Sequence, residues 1–181
     1  MGAANQSMQG SDLEGVHSVV DAAIYRNAMR SYAAAVTIIS TGHHGERTGL
    51  TATSVCSLSD APPTLIACIN RNASAHEIVR STGVFGVNVL RTAQVELANT
   101  FAGRRAIERE QRFTRDVEWV SLVTGAPILA AALVGFDCAL VGEYSHDTHS
   151  IFVGHVKAIR SEDANDPLIY FGGAFRSTDN I

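Results

Sequence analysis

The 181-residue sequence has only three cysteines, Cys56, Cys68 and Cys138, and no C-x-x-C spacing among them. An odd count without close pairs supports neither a disulfide framework nor a thiolate zinc site, so buried free thiols in a reducing compartment are expected. Cationic patches are lacking too. The net charge is -4 and the pI is near 5.9, with basic residues scattered apart from Arg104-Arg105 and Arg109. That balance argues against a nucleic-acid partner. No apolar run reaches membrane-spanning length, and the first fifteen residues lack the apolar segment of a signal peptide. Gln6 stands where the N-myristoylation pattern needs Ser or Thr. A soluble cytoplasmic protein without membrane attachment is the expectation. Linkers, internal repeats, a G-x-S-x-G nucleophile elbow and a G-x-G-x-x-G phosphate loop are all missing.

What is present suits one domain, because 46% hydrophobic content at this length fills a sizeable core. Residues 1–19 offer no periodic apolar face and read as a mobile tail, leaving a domain over residues 20–181. Asp21 is a candidate N-cap for a short amphipathic helix carrying Ile24, Ala28, Met29 and Tyr32, expected to lie against a sheet. The run Ala35 to Thr41, the turn Gly42-His43-His44-Gly45 and the stretch from Thr48 predict a hairpin, with His43 and His44 as exposed turn residues. Thr64 to Ile69 predicts a buried strand. Ser74-x-x-Glu77 reads as a capping box for a helix ending near Gly83. Gly83 to Leu90 predicts another strand and Thr92 to Phe101 another helix. Gly103 to Asp116 is the most charged segment and reads as a solvated face. Ala132 to Tyr144 and His149 to Ser161 flank a turn at Ser145 to Thr148, and Pro167 to Ala174 closes the chain. Many strands and few helices predict a mainly β fold, an antiparallel barrel with peripheral helices.

Chemistry concentrates in the stretch from Thr48 to Asn72. Thr51, Thr53, Ser54, Ser57 and Ser59 place five hydroxyls within nine residues, with small Ala52 among them. Backbone N–H groups at Thr51 to Ser54 suit the polar edge of a planar ligand; a Thr/Ser-rich edge strand is the plainer alternative. Asn70-Arg71-Asn72-Ala73-Ser74 sets a guanidinium and a hydroxyl at a helix start, where an anion such as a phosphate is favoured. The alternative is a surface arginine and an ordinary cap. His146 and His149, with His155 beyond, have metal-like spacing, but three residues apart on a strand they are expected to point to opposite faces, so no metal site is assigned.

Gly49 to Ser57, Pro62-Pro63-Thr64-Leu65 and Cys68 to Asn72 together resemble the short-chain NAD(P)H:flavin oxidoreductases, typified by the reductase of 4-hydroxyphenylacetate 3-monooxygenase. The resemblance runs from about Tyr25 to Arg176. His149 matches the histidine of the family's G-x-H-x-(I/L)-(F/V)-x-G segment, although Asp147-Thr148 stands where many members show Gly-Asp or Gly-Thr. Pro167 to Arg176 resembles the closing P-L-(V/I)-Y-x-x-G-x-(Y/F) segment, and Phe85 and Asn88 match another family strand. The resemblance implies a split β-barrel of the FMN-binding kind, a homodimer with the flavin near the subunit interface, FMN or FAD as flavin and NADH or NADPH as co-substrate. It implies reduced flavin delivered to a partner oxygenase, with Thr51, Ala52, Thr53, Ser54, Ile69, Asn70, Arg71, Ser74, Tyr170 and Arg176 around the cofactor. His149 is implied to position the nicotinamide or the flavin edge, and the charged segment 103–116 to be a variable excursion near the flavin. A corrin reductase that reduces cobalt through the same flavin is the alternative among enzymes. A flavin-binding redox carrier or sensor without reductase activity is the alternative outside them.

Overall fold

The computed structural model describes residues 19–113 and 116–178. The tail expected over residues 1–19 falls outside the described residues, save for exposed Val19.

The β-branched run Thr37–Thr41 (β2) is buried at every position, and a sheet is built outward from it. Gly42 at φ 87 and Gly45 at φ 93 turn the chain, where a side chain on Gly42 would meet the Glu46 carbonyl at 2.6 Å. The chain returns as Thr48–Ala52 (β3), with Thr41 opposite Thr48 and Thr37 opposite Ala52. The hairpin expected around the histidine turn is therefore present. Val55–Asp60 (β4) and Pro63–Asn70 (β5) follow, then Val84–Val89 (β6). The long strands Val134–His146 (β9) and His149–Ser161 (β10) form a second hairpin, closed by Asp147 and Thr148 alone, so the turn is shorter than the sequence suggests.

These seven strands make one antiparallel sheet in the order β3-β2-β6-β9-β10-β5-β4. Its two edges, β3 and β4, are consecutive in the chain and joined only by Thr53 and Ser54. Two intervening residues span at most about 11 Å between Cα atoms. Seven strands laid flat would hold the edges about 29 Å apart. The sheet must therefore curl until its edges approach, though β3 and β4 do not hydrogen-bond to each other. The architecture is mainly β with a few helices and an open sheet rather than a closed barrel.

Alternation then places two apolar clusters on opposite faces. Ile39, Ala67, Ile69, Phe85, Val87, Cys138 and Phe152 meet in one, with Val79 from helix α2, Ser74–Thr82. Val36, Ile38 and Leu90 face the other, against Ala98 and Phe101 of helix α3, Val95–Phe101, and Leu129 of β8. Here β8 is Pro127–Leu129, paired with Trp119–Ser121 (β7). A small sheet of Ala34–Ala35 (β1), Ile169–Phe171 (β11) and Ala174–Arg176 (β12) sits on this side, its hairpin turned by Gly172 and Gly173 at φ 66 and 82.

Phe85 is fully buried and packs in the core. Asn88, also fully buried, donates to the Ile38 carbonyl and Ser40 Oγ and accepts from Leu129 N at 2.7 Å.

Two expectations about helices are corrected. Asp21 caps helix α1, Ala22–Met29, as the sequence indicates. That helix does not pack on a sheet: none of its residues is buried, and Ile24, Tyr25, Met29 and Tyr32 are exposed. It is anchored at its far end, where Arg30 exchanges hydrogen bonds with Gly172. Helix α2 begins at Ser74 itself, with Ala73 as N-cap and no side-chain cap bond, so the capping box does not form. Ser74 Oγ is drawn instead to Thr48 Oγ1 at 2.7 Å. Gly83 ends the helix in the left-handed conformation, φ 69, as expected. The thiols are free, but only Cys138 is buried; Cys68 is intermediate, and Cys56 is exposed on edge strand β4.

Asn88→Ala leaves buried carbonyl, hydroxyl and N–H partners unpaired, at a cost of about 2–4 kcal/mol. Urea unfolding with an unchanged denaturant slope should report that loss. A change below about 0.5 kcal/mol, typical of surface substitutions, would show that Asn88 does not hold β2, β6 and β8 together.

Candidate functional site

Strand β5 hands its last residue, Asn70, to a tight turn before helix α2. Asn70 Oδ1 accepts from Asn72 N at 2.8 Å, and its carbonyl accepts from Ala73 N at 2.9 Å. That turn projects Arg71 toward the closed end of the β9–β10 hairpin. Arg71 N donates to the Thr148 carbonyl at 2.9 Å and its guanidinium to the Asp147 carbonyl at 3.2 Å. His149 starts β10 directly opposite Asn70 on one side and His146 on the other. Residues 70–71 and 147–149, from opposite ends of the sequence, thus form one surface. Arg71, Asn72, His76, Glu77, Arg80, Asp147 and Thr148 line a cleft of about 400 Å³ there.

Asp147 adopts φ 45, the only positive φ among described non-glycine residues. Aspartate tolerates this left-handed conformation better than most side chains. This accounts for how Asp147-Thr148 can make the turn without a glycine. The histidines do not lie on opposite faces as in-strand periodicity predicts. His146 and His149 are cross-strand partners and so share a face rather than opposing each other. They still form no metal-binding group with other ligating side chains among the described residues. His146 pairs instead with Asp147 at 3.5 Å, while His149 Nδ1 lies 2.8 Å from Thr148 Oγ1.

The hydroxyl-rich corner falls where the sheet's edges approach. Thr51 Oγ1 donates to the Ala98 carbonyl at 2.7 Å, Ser54 Oγ to the Cys68 carbonyl at 2.9 Å, and Ser59 Oγ accepts from Ala61 N. These hydroxyls fasten α3, β5 and the next turn to the corner. Ala52 is nearly buried, whereas Thr53 and Ser54 are exposed. The corner therefore presents backbone and small side chains at its surface.

Several expected site residues stand elsewhere. The Ile69 side chain is fully buried in the core, leaving only its backbone to a ligand. Ser74 points to Thr48 rather than lining the Arg71 cleft. Tyr170 and Arg176 belong to the small sheet, where the Tyr170 ring packs on Phe175 at 5.7 Å. Neither lines the cleft.

One group near the cleft escapes sequence reading. His76, buried on α2, meets the fully buried Ser150 Oγ at 2.8 Å; Ser150 Oγ donates to Glu143 at 2.9 Å, and Arg80 Nε reaches the same carboxylate at 2.9 Å. Helix α2 is far in sequence from the β9–β10 hairpin that carries Glu143 and Ser150, so no local pattern marks the network. Partial burial works against ionisation of Glu143, but the Ser150 hydroxyl, the Arg80 guanidinium and His76 outweigh it and hold the carboxyl below its ordinary value.

A larger cleft, about 610 Å³, lies between the 45–47 turn, α2 and residues 108–111 of the charged segment. It contains none of the expected site residues. Arg47 crosses it to Glu110, and Arg105 is paired with Glu96. Burial opposes ionisation of Glu110, yet the Arg47 side chain and backbone keep that carboxyl below its ordinary value. Burial, with the Asp137 carboxylate beside it, pushes the Cys138 thiol up to about 12, so it stays protonated and unreactive.

The flavin reductase like domain matches residues 29–179. A relative from Methylorubrum extorquens, named FMN reductase (NADH) RutF 2, is 44% identical over 157 residues, spanning 87% of this chain and 90% of its own. FMN reductase (NADH) RutF from Stutzerimonas stutzeri is 46% identical over 148 residues, spanning 82% and 83%. Among solved structures, BorF, the flavin reductase component of a bacterial two-component tryptophan halogenase, superposes with a TM-score of 0.80 at 34% identity, covering 87% of this chain and 98% of its own.

The depressed Glu143 carboxyl has a stability consequence. A group whose pKa falls on folding stabilises the fold above its unfolded pKa and loses that contribution as pH drops through the folded value. Glu143→Gln should therefore lower the melting temperature at pH 7. The gap to wild type should close as pH falls from about 6 to about 3, below the ordinary glutamate range. A gap that stays constant across the series would mean the ionised carboxylate contributes nothing to the network.

Proposed function

The chain belongs to the flavin reductase like domain family, and on that premise we propose that it is an NADH-dependent FMN reductase whose reduced flavin serves a partner oxygenase. The observation that carries this reading is the junction of Arg71 with the 147–149 hairpin tip, which puts an exposed arginine, suited to a phosphate, beside an exposed histidine. The donor set suits FMN: a guanidinium and an amide-rich turn at the start of a nine-residue helix for the phosphate, and a corner of small residues for a planar ring. Bound FMN would supply the hydride-accepting chemistry.

The chain's own residues bind and align. Arg71 holds the phosphate, with Asn70 shaping its turn. Ala52, Thr53 and Ser54 border the ring, with the backbone at Thr51 and Ile69 nearby. His149 orients the nicotinamide. No side-chain nucleophile or general base is required, because the transferred hydride needs alignment more than proton transfer. Relatives named FMN reductase (NADH) favour FMN over FAD and NADH over NADPH. No observation favours the corrin reductase or the non-enzymatic carrier.

The finer architecture we assign is the split β-barrel, supported by the two-residue link between sheet edges. The assembly is a homodimer. It is supported by apolar side chains exposed on α1, β9 and β10, including Ile24, Tyr25, Val141, Tyr144 and Ile159. In such a dimer Tyr170 and Arg176, which do not line their own chain's cleft, would contribute near the flavin at the subunit interface. Ser74 supports the phosphate turn indirectly, through its bond to Thr48.

Protein mixed with FMN and NADH should consume NADH steadily, followed at the nicotinamide absorbance band; a stable yellow complex indifferent to NADH would overturn the enzyme reading. Arg71→Ala should weaken FMN by about tenfold to a hundredfold, the worth of a charge-assisted hydrogen bond. Riboflavin, lacking the phosphate, should be unaffected. Equal losses for both flavins would remove Arg71 from the phosphate.

His149→Asn should slow reduction of bound FMN by about tenfold to a hundredfold with flavin affinity retained, since misalignment of reacting atoms is costly. In stopped flow the wild-type rate should be nearly flat between about pH 6 and 8, where a histidine acting as obligatory proton donor would titrate. Identical rates for the two proteins would take His149 out of the site.

A further inference from the structure

Thr148 stands at the closed end of the β9–β10 hairpin, and three contacts meet around it. Its carbonyl accepts from Arg71 N at 2.9 Å. The Asp147 carbonyl just before it accepts from the Arg71 guanidinium at 3.2 Å. Its hydroxyl lies 2.8 Å from Nδ1 of His149. The tip is thus pinned to the turn between β5 and α2 by two backbone carbonyls, with Asp147 in the left-handed conformation making the bend. His149 is exposed, and an exposed imidazole without such a contact would sample several rotamers.

We propose that Thr148 is a positioning residue for His149: its hydroxyl donates to Nδ1 and so fixes the ring proton on Nε2. A neutral imidazole has one donor and one acceptor nitrogen, so engaging Nδ1 as acceptor leaves Nε2–H as the donor presented outward. That N–H suits an acceptor such as the carboxamide carbonyl of a nicotinamide. Arg71 supports the arrangement from behind through the carbonyls, which side-chain substitution at 148 leaves in place. The inference rests on the co-substrate role given to His149 above.

The test uses the full chain with FMN and compares wild type, Thr148→Val and Thr148→Ser. Imidazole ¹⁵N spectra at a pH where His149 is neutral should show the Nε2-protonated tautomer in wild type and in Thr148→Ser. In Thr148→Val, which keeps the shape and removes the hydroxyl, both tautomers should be seen. The KM for NADH should rise on the order of fivefold in Thr148→Val, the effect of one lost neutral hydrogen bond. FMN affinity should stay near wild type, and Thr148→Ser should restore KM. A merely structural role would move stability but neither the tautomer nor the KM selectively. An unchanged His149 spectrum in Thr148→Val overturns this proposal alone. An unchanged NADH KM and reduction rate in His149→Asn overturns the reading beneath it.

Discussion

The link of two residues between β3 and β4 is the constraint on which the rest of the molecule depends. Because Thr53 and Ser54 join the outermost strands of a seven-stranded sheet, the sheet has no flat solution. Ser54 reinforces the corner from both sides: its carbonyl accepts from Cys68 N at 2.9 Å, and its hydroxyl donates to the Cys68 carbonyl at the same distance. Curling brings β3 residue Ala52 and β5 residues Ala67 and Ile69 into one core cluster. The same curvature creates a polar, small-residue rim where the edges approach, next to the end of β5 that leads to Arg71. A packing constraint and the exposed polar rim are therefore one feature.

Burial on both faces of the sheet explains where polar groups are tolerated. Asn88, Ser40 and Asp137 lie in the interior with no measurable exposure, and each is satisfied by backbone or hydroxyl partners. A buried polar group without partners would cost far more than it returns. The His76–Ser150–Glu143–Arg80 network follows the same rule nearer the surface. It ties helix α2 to the β9–β10 hairpin, so the helix that follows the Arg71 turn and the strand that begins with His149 are held in one frame. Arg71 closes that frame at the hairpin tip.

Sequence and structure part company at positions where one residue has two plausible uses. Ser74 with Glu77 has the spacing of a capping box, but a hydroxyl bond to Thr48 across the fold competes with the local cap and wins. Ile69 lies within the ligand-like motif, yet strand alternation turns its side chain into the core. In-strand periodicity alone would set His146 and His149 on opposite faces. The two-residue turn between them makes the relation a cross-strand one and reverses that conclusion. Helix α1 has the amphipathic pattern of a packed helix, but this chain provides its apolar side chains with no buried contact among the described residues.

The sequence by itself determined the mainly β class, the hairpin around the histidine turn, the left-handed glycine ending α2 and the grouping of hydroxyls at the 51–54 corner. Each of these follows from short-range rules: strand and helix periodicity, turn chemistry and the left-handed freedom of glycine. Its motif order also carried the family. Only the tertiary structure decided that residues 70–71 meet residues 147–149, that His76 and Glu143 share Ser150, and that Tyr170 and Arg176 lie away from the cleft within one chain. Those relations depend on strand order and register. In a curled antiparallel sheet they bring together residues separated by more than seventy positions, and no local pattern of side chains encodes a contact of that reach.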